Sequence, residues 1–218
     1  MKLEKIYNST IFKIFDFIYK LVMFNLLFVL TFILGLGLFS YLLSFIILVL
    51  AIKSLEDDLD YSIVKTWIIN IKKYWFKALK LSLFYTCFLS LAIFNIGFFH
   101  LILQEQDALV YQVLYYFFLV FSVVMLFSII NSAFIFVYYP NLSFMKIIKY
   151  SFLLVQLIPL QALLLILMIL VGVAWFYIFP FVLIFIWVSL SLYIFHKITK
   201  RVYLKLVPDN VKPRKITD

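Results

Sequence analysis

An all-α, polytopic transmembrane helix bundle is the fold class this sequence predicts, and three observations predict it. Of its 218 residues, 67% are hydrophobic and only 13% are charged. Apolar runs follow one another along nearly the whole chain, too long and too many for a soluble core of this size. The basic residues fall in clusters between those runs instead of spreading evenly. The expected bundle has about six membrane helices with both termini cytoplasmic, plus amphipathic interfacial helices. Residues 1 to 206 are read as a single transmembrane domain and 207 to 218 as a short cytoplasmic tail.

The stretch from 21 to 52, LVMFNLLFVLTFILGLGLFSYLLSFIILVLAI, contains no charge. A hydrocarbon core about 30 Å thick takes roughly 20 helical residues, so this stretch is long for one crossing and short for two. The flanking charges decide. Lys2, Lys5, Lys13 and Lys20 precede it; Lys53, Lys65, Lys72, Lys73, Lys77 and Lys80 follow it. Lys146 and Lys149 form a third cluster, and Lys197, Lys200, Arg201, Lys205, Lys212, Arg214 and Lys215 a fourth. Lys and Arg beside short spans mark the cytoplasmic side. The connectors QEQDALV at 104 to 110 and WFYIFP at 175 to 180 have neither and belong outside. A single tilted helix would place the second lysine cluster outside, so the stretch is read as a hairpin.

Its first helix starts near Thr10, with Lys13, Asp16 and Lys20 at headgroup level and Lys20 snorkelling. Gly35 and Gly37 supply the turn, because glycine adopts the positive backbone angles a tight reversal needs. The second helix, 38 to 54, rises about 25 Å and is either a short span or a re-entrant segment. Later runs alternate: 81 to 103 goes out, 110 to 139 returns, 157 to 175 goes out and 178 to 195 returns. The lysine-rich start MKLEKIYNSTIFKIFDFIYK leads into an apolar part far longer than that of a signal peptide and lacks a small-residue cleavage site, so it reads as a retained anchor. Cys87, alone in an apolar run, reads as a lipid-facing or packed thiol.

The segment LEDDLDYSIVKTWIINIKKYWFKALK is the most informative piece. At about 100° per residue, Lys65, Lys72, Lys73, Lys77 and Lys80 share one arc, with Val64, Trp67, Ile68, Ile71, Trp75 and Ala78 opposite. This describes an amphipathic interfacial helix running straight into the third span. Asp60 is its expected N-cap, and Glu56, Asp57, Asp58 and Asp60 sit at the positive end of its dipole. Their spacing lacks the glycine and closing glutamate of a calcium loop, so no metal site is expected. Lys65, Trp67, Lys72, Lys73, Trp75 and Lys77 are the candidate interface, toward an anionic inner leaflet or toward a partner. At 142 to 156, LSFMKIIKYSFLLVQ is a weak echo: SIVK at 62 to 65 matches SFMK at 143 to 146, which allows duplicated units over 10 to 103 and 110 to 196.

Polar residues inside the spans are few and uncharged. Asn25, Gly35, Ser128, Asn131 and Ser132 are candidate helix-packing or lining residues, with Ser128 and Ser132 one turn apart in SIINS. Deep ionisable residues, the usual marks of ion or proton pathways, are not seen. His100 closes the third span outside and His196 closes the last one inside, so the bilayer keeps them from sharing a metal. The sequence contains no zinc spacing, phosphate loop or nucleophile motif, and so no catalytic residue or cofactor site is expected. The net charge of +9 flanks spans and is not a nucleic-acid footprint.

Asn25 with Leu26 and Leu27, then Gly35, then Lys53 after a second short helix, resembles the opening signature of the YesL-like family of bacterial membrane proteins, a domain of unknown function. The lysine-rich aromatic helix before the third span and the closing run LSLYIFHKITKRVYLKL are also similar to that family. Where members often carry a Pro-Ala pair, this chain has Leu43 and Ser44. The resemblance implies a bacterial plasma-membrane protein associated with carbohydrate ABC transporters, with no catalytic residues to carry over. The expected function is therefore that of a non-catalytic accessory or regulatory protein, touching permease or ATPase subunits. The cytoplasmic segments lack the coupling motif by which importer permeases grip their ATPase, so the chain is not read as the permease itself. The alternative is a stand-alone small transporter or channel for a neutral solute lined by Ser and Asn, with a membrane enzyme a distant third.

Overall fold

Gly35 and Gly37 do lie where the chain reverses. In a computed structural model that describes residues 10–56, 62–105, 108–179, 181 and 183–205, helix α1 (Thr10–Leu34) ends at this turn and α2 (Tyr41–Glu56) returns from it. Gly37 has φ of 61° and Leu36 has φ of 60°, so two successive residues take the left-handed conformation. Gly35 is required for a different reason: a Cβ there would lie 2.1 Å from the Ser40 Cβ. Ser40 closes the turn by donating from Oγ to the Phe32 carbonyl at 3.0 Å.

The 16 residues of α2 rise only about 24 Å. Leu42, Leu43, Ser44 and every residue from Ile46 to Lys53 are buried. A helix apolar around its whole circumference must be enclosed, and α2 packs against α1, α3, α4 and α7 together. It is the centre of the core and not a segment on its edge.

Helix α3 (Ile63–Glu105) is continuous for 43 residues, about 65 Å at 1.5 Å per residue. Trp67, Tyr74, Ala78, Leu81, Ser82 and Tyr85 form its buried stripe; further along, Ala92 alone is buried. Helix α4 (Leu109–Tyr138) folds back along α3, and its buried residues all fall in its second half, beginning at Met125 and unbroken from Asn131 to Tyr138. The distal halves of α3 and α4 thus make a hairpin that extends from the core. Phe99 stacks on Phe118 at 6.0 Å within it, while Phe94, Leu101 and Leu109 point outward.

Helix α5 (Phe144–Leu157) starts after Ser143 as α3 starts after Ser62, so SFMK and SIVK each open a helix. They then part company. Pro159, with no N–H to give, ends α5 and opens α6 (Pro159–Ile178) as a separate helix. The last element begins as a π-helical turn (Leu183–Trp187) and continues as α7 (Val188–Lys205). Gly172 of α6 lets the Trp187 indole lie against the backbone; a Cβ there would be 2.3 Å from Nε1.

The described residues are helical apart from the short turns that join the helices, with no strand among them. Four helices, α1, α3, α4 and residues Leu160–Ile178 of α6, are long and apolar enough to cross a membrane by length and composition. The expected six spans exceed that number because α2 is shorter than the roughly 20 residues a crossing takes and α7 carries Lys197, Lys200 and Arg201. The connector expected at 175 to 180 is largely helix, since α6 runs to Ile178. Asp57, Asp58, Asp60 and the tail at 207 to 218 lie outside the described residues.

Candidate functional site

The first half of α3 is amphipathic, but its buried face is turned from the expected one. Trp67 is 3% exposed, its ring 6.5 Å from that of Phe24 and its Nε1–H donating to Thr31 Oγ1 at 2.9 Å. Thr31 Oγ1 in turn donates to the Leu27 carbonyl at 2.7 Å. Tyr74, absent from the expected apolar arc, is buried edge-on against Phe136 at 5.3 Å. Val64, Ile68 and Trp75, expected opposite the lysines, are exposed. The wheel is displaced because the stripe that packs is Trp67, Tyr74, Ala78, Leu81 and Tyr85, and tyrosine hides in either class of residue.

Lys77 also leaves the exposed arc. Its Nζ donates to the Pro140 carbonyl and, at 2.9 Å, to the Leu142 carbonyl, beyond the end of α4, and it lies 5.2 Å from the Phe136 ring centre. Lysine at a helix C-terminus satisfies carbonyls that have no partner within the helix. Lys65, Lys72, Lys73 and Lys80 remain on the outside, interleaved with Ile68, Ile69, Trp75 and Phe76. Of the six candidate interface residues, then, four form a surface and two hold helices together.

Four of the five candidate packing residues, Asn25, Ser128, Asn131 and Ser132, are buried. Asn25 Oδ1 accepts the Ser189 backbone N–H at 3.0 Å, and Asn131 Oδ1 accepts the Tyr203 hydroxyl at 2.6 Å. Ser132 donates to the Ile129 carbonyl at 2.7 Å. Ser128 is buried with no partner for its Oγ, although its carbonyl accepts from Tyr85, whose hydroxyl also meets Ser151 Oγ at 2.7 Å. Gly35 serves the turn described above.

A cluster that sequence reasoning missed gathers the ends of α2, α4 and α7. Glu56, expected in a solvated acidic run, pairs through Oε1 with Lys200 Nζ at 2.8 Å and faces His196 Nδ1 through Oε2 at 3.5 Å. His196, expected simply to close a span, is 1% exposed, and its Nε2 meets the Tyr138 hydroxyl at 2.7 Å. Lys53 sits 4.8 Å from the Tyr138 ring centre. Tyr138 stacks on Tyr203 at 5.9 Å, and Phe134 stacks on Tyr203 at 5.1 Å. Burial pushes the His196 imidazole below its ordinary value; Glu56 opposes this, while Lys200 and Lys53 add to it. A neutral ring with Nδ1–H toward Glu56 and Nε2 accepting from Tyr138 satisfies every partner. This Glu–His–Tyr line locks three helix ends, and the signal for it in the sequence was limited to charges at run ends.

Among the described residues, no group of His, Cys, Asp or Glu could hold a metal ion. His100 is exposed, beside Gln104. No family model, curated protein or solved structure matches the chain.

Proposed function

We propose that the chain is a non-catalytic accessory or regulatory protein of a carbohydrate ABC transporter in a bacterial plasma membrane, working by contact with the permease or ATPase subunits. The observation that supports this most is the outer face of α3, where Lys65, Lys72, Lys73 and Lys80 alternate with exposed Trp75, Phe76 and Ile69 on a helix anchored by Trp67 and Lys77. A rigidly held helix with aromatic and cationic groups on its free side is suited to an anionic leaflet or an acidic partner surface. The partner's identity rests on the YesL-like resemblance.

In this reading the chain makes six membrane passes with both ends cytoplasmic, α2 completing the hairpin begun by α1. The alternation of lysine clusters with uncharged connectors supports that orientation. The solute-path alternative is weakened, because Asn25 and Asn131 already serve helix-to-helix hydrogen bonds.

Surface variants test the proposal. Lys72→Glu with Trp75→Ala should lower sugar uptake in cells while leaving the protein's membrane abundance unchanged. Unchanged uptake at equal abundance would remove the docking role.

A further inference from the structure

Between α6 and α7 lies a cavity of about 630 Å3, within the ~300–1,000 Å3 range of small-ligand sites. Its walls are Leu163, Leu164, Leu167 and Leu170 from α6 with Ile198 and Val202 from α7. One polar amide interrupts them. Gln161 is 5% exposed, lines the cavity, and has no partner for either Oε1 or Nε2. A buried amide with both ends unsatisfied in apolar surroundings is costly, and a bound group that supplies the missing partners removes the cost.

We infer that this cavity binds a single-chain anionic glycerolipid, with its acyl chain along the α6 leucines and its glycerol ester region at Gln161. An ester carbonyl accepts from Nε2, and a neighbouring free hydroxyl donates to Oε1; a plain hydrocarbon offers neither. Thr199 Oγ1, also on the cavity wall, is already engaged in donating to the Phe195 carbonyl at 2.7 Å, so the lipid's hydroxyl is left to Gln161 Oε1. From Gln161 to Leu170 the wall is about 13 Å long, so it takes the ester-proximal part of an extended acyl chain lying along the helix. The sign of the headgroup is inferred from α7, where Lys197 and Arg201, outside the cavity wall itself, are exposed within three residues of the lining residues Ile198 and Thr199. The inference is independent of the docking role of α3.

The test uses the full-length protein in mild detergent, with palmitoyl-lysophosphatidylglycerol below its micellar concentration as probe and binding read by native mass spectrometry. Wild type should retain one lipid per chain, and palmitoyl-lysophosphatidylcholine should bind at least tenfold more weakly. Gln161→Leu, which replaces the unpaired amide with an apolar group and should fold at least as well, should lose most of the bound lipid. Leu167→Trp, which fills the groove from its exposed wall, should lose it as well. Equal lipid retention by wild type and both variants, or equal retention of the two lipids, would overturn the site and leave only annular lipid.

Discussion

Asn25 in α1 accepts the backbone N–H of Ser189 in α7 at 3.0 Å, and one turn earlier the Leu21 carbonyl accepts from Ser189 Oγ at 2.8 Å. Ser189 follows the π-helical turn, where a change of register takes a backbone N–H out of the helix ladder. The side chain of Asn25 thus supplies what the helix itself does not. Asn25→Leu should destabilise the protein by about 1–3 kcal/mol, the cost of a buried donor left unpaired. Thermal unfolding in detergent checks this.

The reversal between α1 and α2 predicts opposite effects at adjacent positions. Gly35→Ala places a methyl group against Ser40 and should cost about 1–3 kcal/mol. Leu36 holds a left-handed conformation while 77% exposed. Leu36→Gly should therefore raise stability by about 1 kcal/mol. Midpoints of thermal unfolding for the two variants should fall on either side of the wild type.

Trp67 separates packing from hydrogen bonding. Trp67→Phe loses the bond to Thr31 but leaves Thr31 joined to the Leu27 carbonyl, so the cost should be about 0.5–1.5 kcal/mol. Trp67→Ala also opens a cavity beside Phe24 and should cost about 3–5 kcal/mol. Equal losses from the two variants would mean that the indole N–H, and not the ring, secures α3 to α1.

His196 makes stability depend on pH. Its folded value is lowered from 6.5 to about 4, chiefly by burial, so the unfolded chain takes up a proton first. The contribution is fully present above pH 6.5, declines as pH falls toward about 4 and is flat below that. The loss should be about 1–3 kcal/mol. His196→Gln should flatten the unfolding midpoint across that window.

The hairpin was legible from Gly35, Gly37 and the lysines on either side, because a turn chemistry and a charge rule agreed. The existence of an amphipathic α3 was legible too, but not its buried face: Tyr74 and Lys77 have an apolar body and a polar tip, so periodicity alone cannot place them. The line from Glu56 through His196 to Tyr138 joins residues far apart in the chain and leaves no local pattern. The π-helical turn likewise has no composition of its own, and Asn25 stood out only as a polar residue in an apolar run.

The proposed role of this protein is contact with a transporter. The most direct test is mild-detergent recovery of the tagged full-length protein from its native membranes, with co-purifying proteins identified by mass spectrometry, for wild type and for Lys72→Glu with Trp75→Ala. Stoichiometric permease or ATPase subunits should accompany the wild type and be lost with the variant. Recovery of well-folded wild-type protein alone would contradict that role.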